Sequence, residues 1–140
     1  MASDVGESLR TKLLSYSAIS TIVGQRMYPD ALVQNATLPA VVYTNISTAP
    51  EHTISDVTLT AHARFQFDCY GTSRRSARDL YHAIRRSGIC AYQGTTSGIY
   101  FMGIQLDSGA YNSNEPPVDG NQEHRYITSF DLLVHYSEAA

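Results

Sequence analysis

The chain has 140 residues, 43% apolar and 16% charged, with a net charge of −3. A chain of that size fits one domain and buries about 70% of its unfolded surface without a staple. The acidic balance argues against free nucleic acid as the main partner. There is no N-terminal apolar leader and no apolar run approaching the roughly 18 residues of a membrane span, so a soluble, cytosol-made chain is expected.

Ser3 and Asp4 are candidate caps for a first helix, whose stripe is Val5, Leu9, Lys12, Leu13 and Tyr16, widened by Leu14. Ser17 opens a second short turn through Ile19, Ile22 and Val23, and Gly24 supplies a stop. A short strand is predicted at Gln25–Tyr28, broken by Pro29 and Asp30, and Ala31–Thr37 reads as loop. Pro39 starts a strand without needing a ladder donor, and Ala40–Ile46 continue it. Ser47–Asp56, with Pro50, Glu51 and His52, is expected to be a loop or a long hairpin tip.

Val57–Tyr70 alternates with a period of two. Val57, Leu59, Ala61, Ala63, Phe65, Phe67 and Cys69 point one way, and Thr58, Thr60, His62, Arg64, Gln66, Asp68 and Tyr70 the other. At about 3.3 Å per residue this strand spans roughly 46 Å, against a usual length of about five or six residues. So long a strand offers an edge or a wet face to a neighbour.

Ser73 and Ser76 are rival caps for a helix striped by Ala77, Leu80, Tyr81 and Ile84, with Arg74, Arg75, Arg78, Arg85 and Arg86 largely around the other face and Gly88 as its end. That cationic face reads as a solvated surface, as a salt-bridge surface meeting acidic loops of a neighbouring subunit, or, third, as a contact for DNA. Ile89–Gln93 is predicted as a short strand, Gly94–Gly98 as a turn-rich spacer, and Ile99–Leu106 as a strand with a bulge at Gly103. Asp107–Gln122 reads as a long polar loop. A last strand is expected from Glu123 to Tyr136, with Tyr126, Thr128, Phe130, Leu132, Val134 and Tyr136 on one face and both faces partly covered. The expected architecture is α+β: a mostly antiparallel sheet of four to five strands with two main helices packed on one face, in a single domain over 1–140 with long loops at 47–56 and 107–122.

No chemistry-bearing grouping is found. The five histidines, His52, His62, His82, His124 and His135, do not pair at metal-ligand spacing. The acidic residues Asp107, Glu115, Asp119 and Glu123 lack calcium-loop spacing and read as a solvated loop. Cys69 and Cys90 read as reduced thiols. Neither a catalytic residue nor a metal or cofactor is expected.

The run Arg26-Met27-Tyr28-Pro29-Asp30-Ala31-Leu32, followed by Leu38-Pro39-Ala40-Val41-Val42-Tyr43, resembles a family of tailed-bacteriophage and prophage tail-completion or tail-terminator proteins. The order of elements also matches, from the first helix and Gly24, through the long strand ending near Phe67-Asp68 and the helix at Ser73–Arg86, to the strand at Tyr126–Tyr136. Val33 stands where such proteins often carry proline. The resemblance implies a ring, commonly a hexamer, at the head-proximal end of the tail. There it stops tube polymerisation and docks the neck. Its implied partners are copies of itself, the tail tube protein and a neck or head-completion protein. No membrane and no specific nucleic acid is implied, although DNA passes through the lumen. The implied location is the virion, after assembly in the bacterial cytoplasm. An adjacent head–tail joining protein, or a non-phage binding module using the sheet face, are the alternatives. Arg26, Tyr28, Pro29, Pro39 and Tyr43 are expected to set a turn and a strand start. Subunit-interface candidates are Arg74, Arg75, Arg78, Arg85, Arg86, Thr58, His62, Arg64 and Asp68. Partner-contact candidates are Glu51, His52, Asp107, Tyr111, Asn114, Glu115 and Asp119.

Overall fold

The computed structural model describes residues 4–32, 36–52, 57–115 and 125–138. Among them are helices α1 (Val5–Leu14), α2 (Ser17–Val23) and α3 (Arg74–Arg85) and strands β1 (Met27–Pro29), β2 (Ala40–His52), β3 (Val57–Gly71), β4 (Gly94–Thr96), β5 (Ile99–Glu115) and β6 (Arg125–Ser137). The strands form one sheet in the order β1-β2-β3-β6-β5-β4.

The class is α+β, but the sheet is mixed and six-stranded, where the sequence predicts four to five mostly antiparallel strands. β1 runs parallel to β2, with Met27 beside Val41 and Pro29 beside Tyr43. Asp30, at φ 67°, makes the turn out of β1. The extra strand is β4, which falls in the expected spacer. It joins β5 through a two-residue turn in which Ser97 and Gly98 both take positive φ, 51° and 84°. Ile89–Ala91, expected as strand, is a single 3₁₀ turn.

The two expected long loops are largely strand. β2 runs through Ser47–His52, and β5 through Asp107–Glu115. Residues 53–56 and 116–122 lie outside the described residues. Polar residues form these extensions because a neighbour supplies their ladder: Thr48 pairs with Ala63, and Asn112 with Thr128. Register shifts fall at Asn45/Ser47, at Pro50/His52, at Phe101/Gly103, where the sequence predicts a bulge, and at Asp107/Tyr111.

The predicted alternation of β3 holds over its described side chains. Ala61, Ala63, Phe65, Phe67 and Cys69 are buried beneath the helices, and their neighbours in sequence turn to the other face. β6 adds Phe130, Leu132, Val134 and Tyr136 to that core, and the helices add Leu9, Leu13, Ile19, Val23, Leu80 and Ile84. The core's aromatic spine stacks Tyr43 on Phe67 and Phe67 on Phe130, with Tyr81 tilted on Phe130.

α1 and α3 start as capping rules require, whereas α2 starts after Tyr16 with no side-chain cap, Ser17 being its first helical residue and not its cap. The Asp4 carboxylate accepts from Gly6 N–H, and the Ser73 hydroxyl from Ser76 N–H. Of the two rival caps for α3, Ser73 is the one used, which sets where the arginine face begins. Gly71 brings the end of β3 against that first turn, because a Cβ there would lie 2.6 Å from Ala77 N.

Candidate assembly surfaces

Three surfaces carry the chemistry-bearing residues. The first is the sheet face turned away from the helices. Here cross-strand pairing sets His62 beside His135, Gln66 beside Asp131 and Asp68 beside Ser129. Arg64 reaches across two strands. Its Nη1 donates to Asp131 Oδ2 at 3.0 Å and to Asp107 on β5. The Asp107 and Asp131 hydrogen bonds hold the guanidinium above its ordinary pKa. Asp107 and Asp131 are direct partners in the β5–β6 ladder, so Arg64 neutralises two like charges that register places side by side. Next along, Gln66 Nε2 and Ser129 Oγ both donate to Asp68 Oδ1, at 3.0 and 2.6 Å. At the far end the Tyr70 hydroxyl donates to Glu115 Oε1, and Arg125 lies 3.9 Å from Glu115 Oε2. Burial, with the Glu115 charge beside it, pushes the Tyr70 hydroxyl up to about 12.

The rings of His62 and His135 stack with centroids 4.0 Å apart, a contact that no spacing rule along the chain signals. Arg64 and Asp68, candidates for contact with a neighbour, are also bonded to residues of their own chain. Among the described residues, no group of three or more His, Cys, Asp or Glu side chains could hold a metal ion.

The second surface is the exposed side of α3. Arg75, Arg78, Arg85 and Arg86 are exposed, and Arg74, Arg75 and Arg78 with Asp79 and His82 line an open groove of about 540 Å³. From Arg74 to Arg86 there are five arginines and one aspartate, a surplus of four positive charges, so the rest of the chain carries seven negative ones. Arg74 stands apart. It donates to Ile127 O at 2.9 Å and Ser113 O at 2.8 Å, fastening α3 to the β5–β6 hairpin.

The third surface comprises the two hairpin arms. The β2–β3 hairpin extends past the Thr60–Ser137 pair at one end of the sheet, and the β5–β6 hairpin past the Gly71–Tyr126 pair at the other, where Glu115 pairs with Arg125. Tyr111, Asn114 and Glu115 are exposed on the outer part of β5. The side chains of Glu51, His52 and Thr58, and the whole of Asp119, lie outside the described residues. Sequence reasoning did not single out Arg10, which donates to Met27 O and Gln25 O and holds β1 to α1. Arg26 does the same for β2's start, donating to Pro39 O and Ile22 O.

The protein that carries these surfaces is a bacteriophage virion component. Residues 7–87 match the family model described as tail completion protein gp17, and the chain belongs to that family. A chain from the virion of a native gene transfer agent particle shares the fold, with a TM-score of 0.61 over 95% of each chain at 12% identity. No curated protein matches the chain.

Proposed function

We propose that this chain, as one domain, is a non-enzymatic ring subunit at the head-proximal end of the tail. The ring stops tube polymerisation and presents a surface for the neck. Membership of the tail completion family carries this reading. The distribution of charge supports it, because a helix with a surplus of four positive charges on an otherwise acidic chain fits a ring of identical subunits. The exposed arginines of α3, Arg75, Arg78, Arg85 and Arg86, face acidic residues of the adjoining copy or of the neck. The arms, which include Glu51, His52, Tyr111, Asn114, Glu115 and Asp119, reach toward the tube on one rim and the neck on the other. A ring of commonly six copies leaves a lumen for DNA. The experiment is removal of the gene from the phage genome, with electron microscopy of the resulting particles. Overlong tails detached from heads are expected, and supplying the protein restores them. Tails of normal length that never join heads would overturn termination and assign the protein to the adjacent neck.

A further inference from the structure

Two patches of opposite charge lie apart on this chain. The first is the outer side of α3, where Arg75, Arg78, Arg85 and Arg86 are exposed and make no ion pair among the described residues. With Asp79 as the only carboxylate from Arg74 to Arg86, that helix holds a surplus of four positive charges. The second is a corner around the start of α1, where Gly6 lies against the rings of Tyr43 and Phe65. Burial raises the pKa of the Tyr43 hydroxyl; Arg10 lowers it, and Glu7, Asp4 and Asp30 raise it further. Burial also raises that of Tyr136, and Glu138 and Asp4 add to it. Charges act on these hydroxyls only from nearby, so Asp4, Glu7, Asp30 and Glu138 share one corner. All four are exposed, and none is in an ion pair among the described residues. Arg10, which stands among them, donates to Met27 O and Gln25 O. Four carboxylates against one guanidinium leave the corner a surplus of three negative charges.

The fold holds the two patches away from each other. α3 starts against Gly71, whereas Glu138 follows the Ala61–Tyr136 pair at the other end of β3. Ten residues of β3 separate Ala61 from Gly71, roughly 33 Å at about 3.3 Å per residue. Like charges crowded on one surface repel, and an opposite patch relieves both. We infer that the arginine side of α3 in one copy seats on the acidic corner of Asp4, Glu7, Asp30 and Glu138 in the next, head to tail. A two-fold contact through α3 would instead set arginine against arginine. The contact is heterologous: each copy gives its arginines to one neighbour and its carboxylates to the other, and rotation closes the series into a ring. This inference rests on the ring reading above and names the acidic residues that the arginines meet.

The test uses the full chain and two charge reversals, Arg75→Glu with Arg78→Glu and Glu7→Lys with Glu138→Lys. Asp4 and Asp30 are left alone, because one caps α1 and the other makes the turn out of β1 at positive φ. Circular dichroism checks folding. Sedimentation reads assembly against salt, free and on purified tail tubes, and native mass spectrometry counts the copies. Wild-type assembly is expected to weaken at least about tenfold between roughly 50 and 500 mM salt. Each reversed chain alone assembles at least about tenfold more weakly than wild type. Their equimolar mixture recovers assembly as alternating copies, because each reversed patch then meets its complement. Arg75→Gln with Arg78→Gln, and Glu7→Gln with Glu138→Gln, are gentler on folding and are expected to flatten the salt dependence. Assembly indifferent to salt and to both reversals, or a loss in each that mixing does not recover, would overturn this pairing while leaving the ring. An α3 reversal that assembles at wild-type strength but, supplied to phage lacking the gene, leaves tails unjoined to heads would overturn it too and assign the arginines to the neck. A chain that stays monomeric both free and on tubes would overturn the ring reading with it.

Discussion

Gly71→Ala tests how β3 delivers α3 to its place. The added methyl would meet Ala77 N at 2.6 Å, Ser76 Oγ at 2.8 Å and Ser76 Cβ at 2.9 Å. Two of these belong to side chain and one to backbone, and all lie in the first turn of α3. Ordinary contact begins near 3.4 Å, so the helix start must retreat by about 0.8 Å. That retreat is opposed from both sides. Ala77, Leu80 and Ile84 are fully buried against the sheet, and Arg74 is fastened to Ile127 O and Ser113 O. Overpacking of this kind costs about 1–3 kcal/mol, and the backbone contact puts Gly71→Ala near the upper end. Gly103→Ala is the internal control. It sits in the same sheet, with nothing within 4 Å of its would-be Cβ and no positive φ, so a change of about 0.5 kcal/mol or less is expected. Urea unfolding followed by circular dichroism gives both values, with an unchanged m-value if the denatured state is unaffected. Equal stability of the two variants would refute the argument that strand and helix meet there without room for a methyl.

Other substitutions address caps, charge and titration. Ser73→Ala removes the hydroxyl that accepts from Ser76 N–H and is expected to lower stability by about 1 kcal/mol in the same urea assay. Arg75→Glu with Arg78→Glu reverses charge at exposed positions lining the α3 groove, so thermal unfolding is expected to stay unchanged while incorporation into tails, scored by immunoblot of purified particles, falls. Tyr70 holds its proton to about pH 12 in the folded chain, so its contribution to stability is complete below the ordinary tyrosine value and is lost as pH rises through about 12. Glu115→Gln is expected to bring this ionisation to lower pH in an absorbance titration at the tyrosinate band. Cys90 is exposed and Cys69 buried, so a thiol reagent is expected to label one cysteine in the native chain and both after unfolding, with mass spectrometry identifying the site.

What the sequence made legible was local. The alternation over Val57–Tyr70 announces β3 because each residue's face depends only on its own parity. The α3 stripe and its Ser73 cap are likewise written within one segment, and so is the stop at Gly24. What escaped depends on partners distant in the chain. Asp107–Glu115 has the composition of a loop and becomes strand because Ile127, Thr128 and Ser129 on β6 supply the ladder. β4 has three residues, too few for a period to show. The site shows the same division. The arginines of α3 are visible as a run, but nothing near Arg64 in sequence points to Asp107 or Asp131, and nothing near His62 points to His135.

The difference between the two sheet boundaries bears most directly on assembly. A polar face becomes a docking surface when its groups lack partners, since burying them then gains hydrogen bonds. On the face away from the helices Arg64 is shared by two aspartates, and Asp68 accepts from both Gln66 and Ser129. A neighbour placed there would have to compete with bonds already made. The outer edge of β2 is the reverse case. Among the described residues β1 pairs with it only from Val41 to Tyr43, and Ile46 stands exposed beyond that point. Covering it would add backbone bonds and apolar burial together. The residues with the most conspicuous charges on β3 are therefore already bonded within the chain, and the less conspicuous edge of β2, with its exposed isoleucine, is where an added contact would gain more.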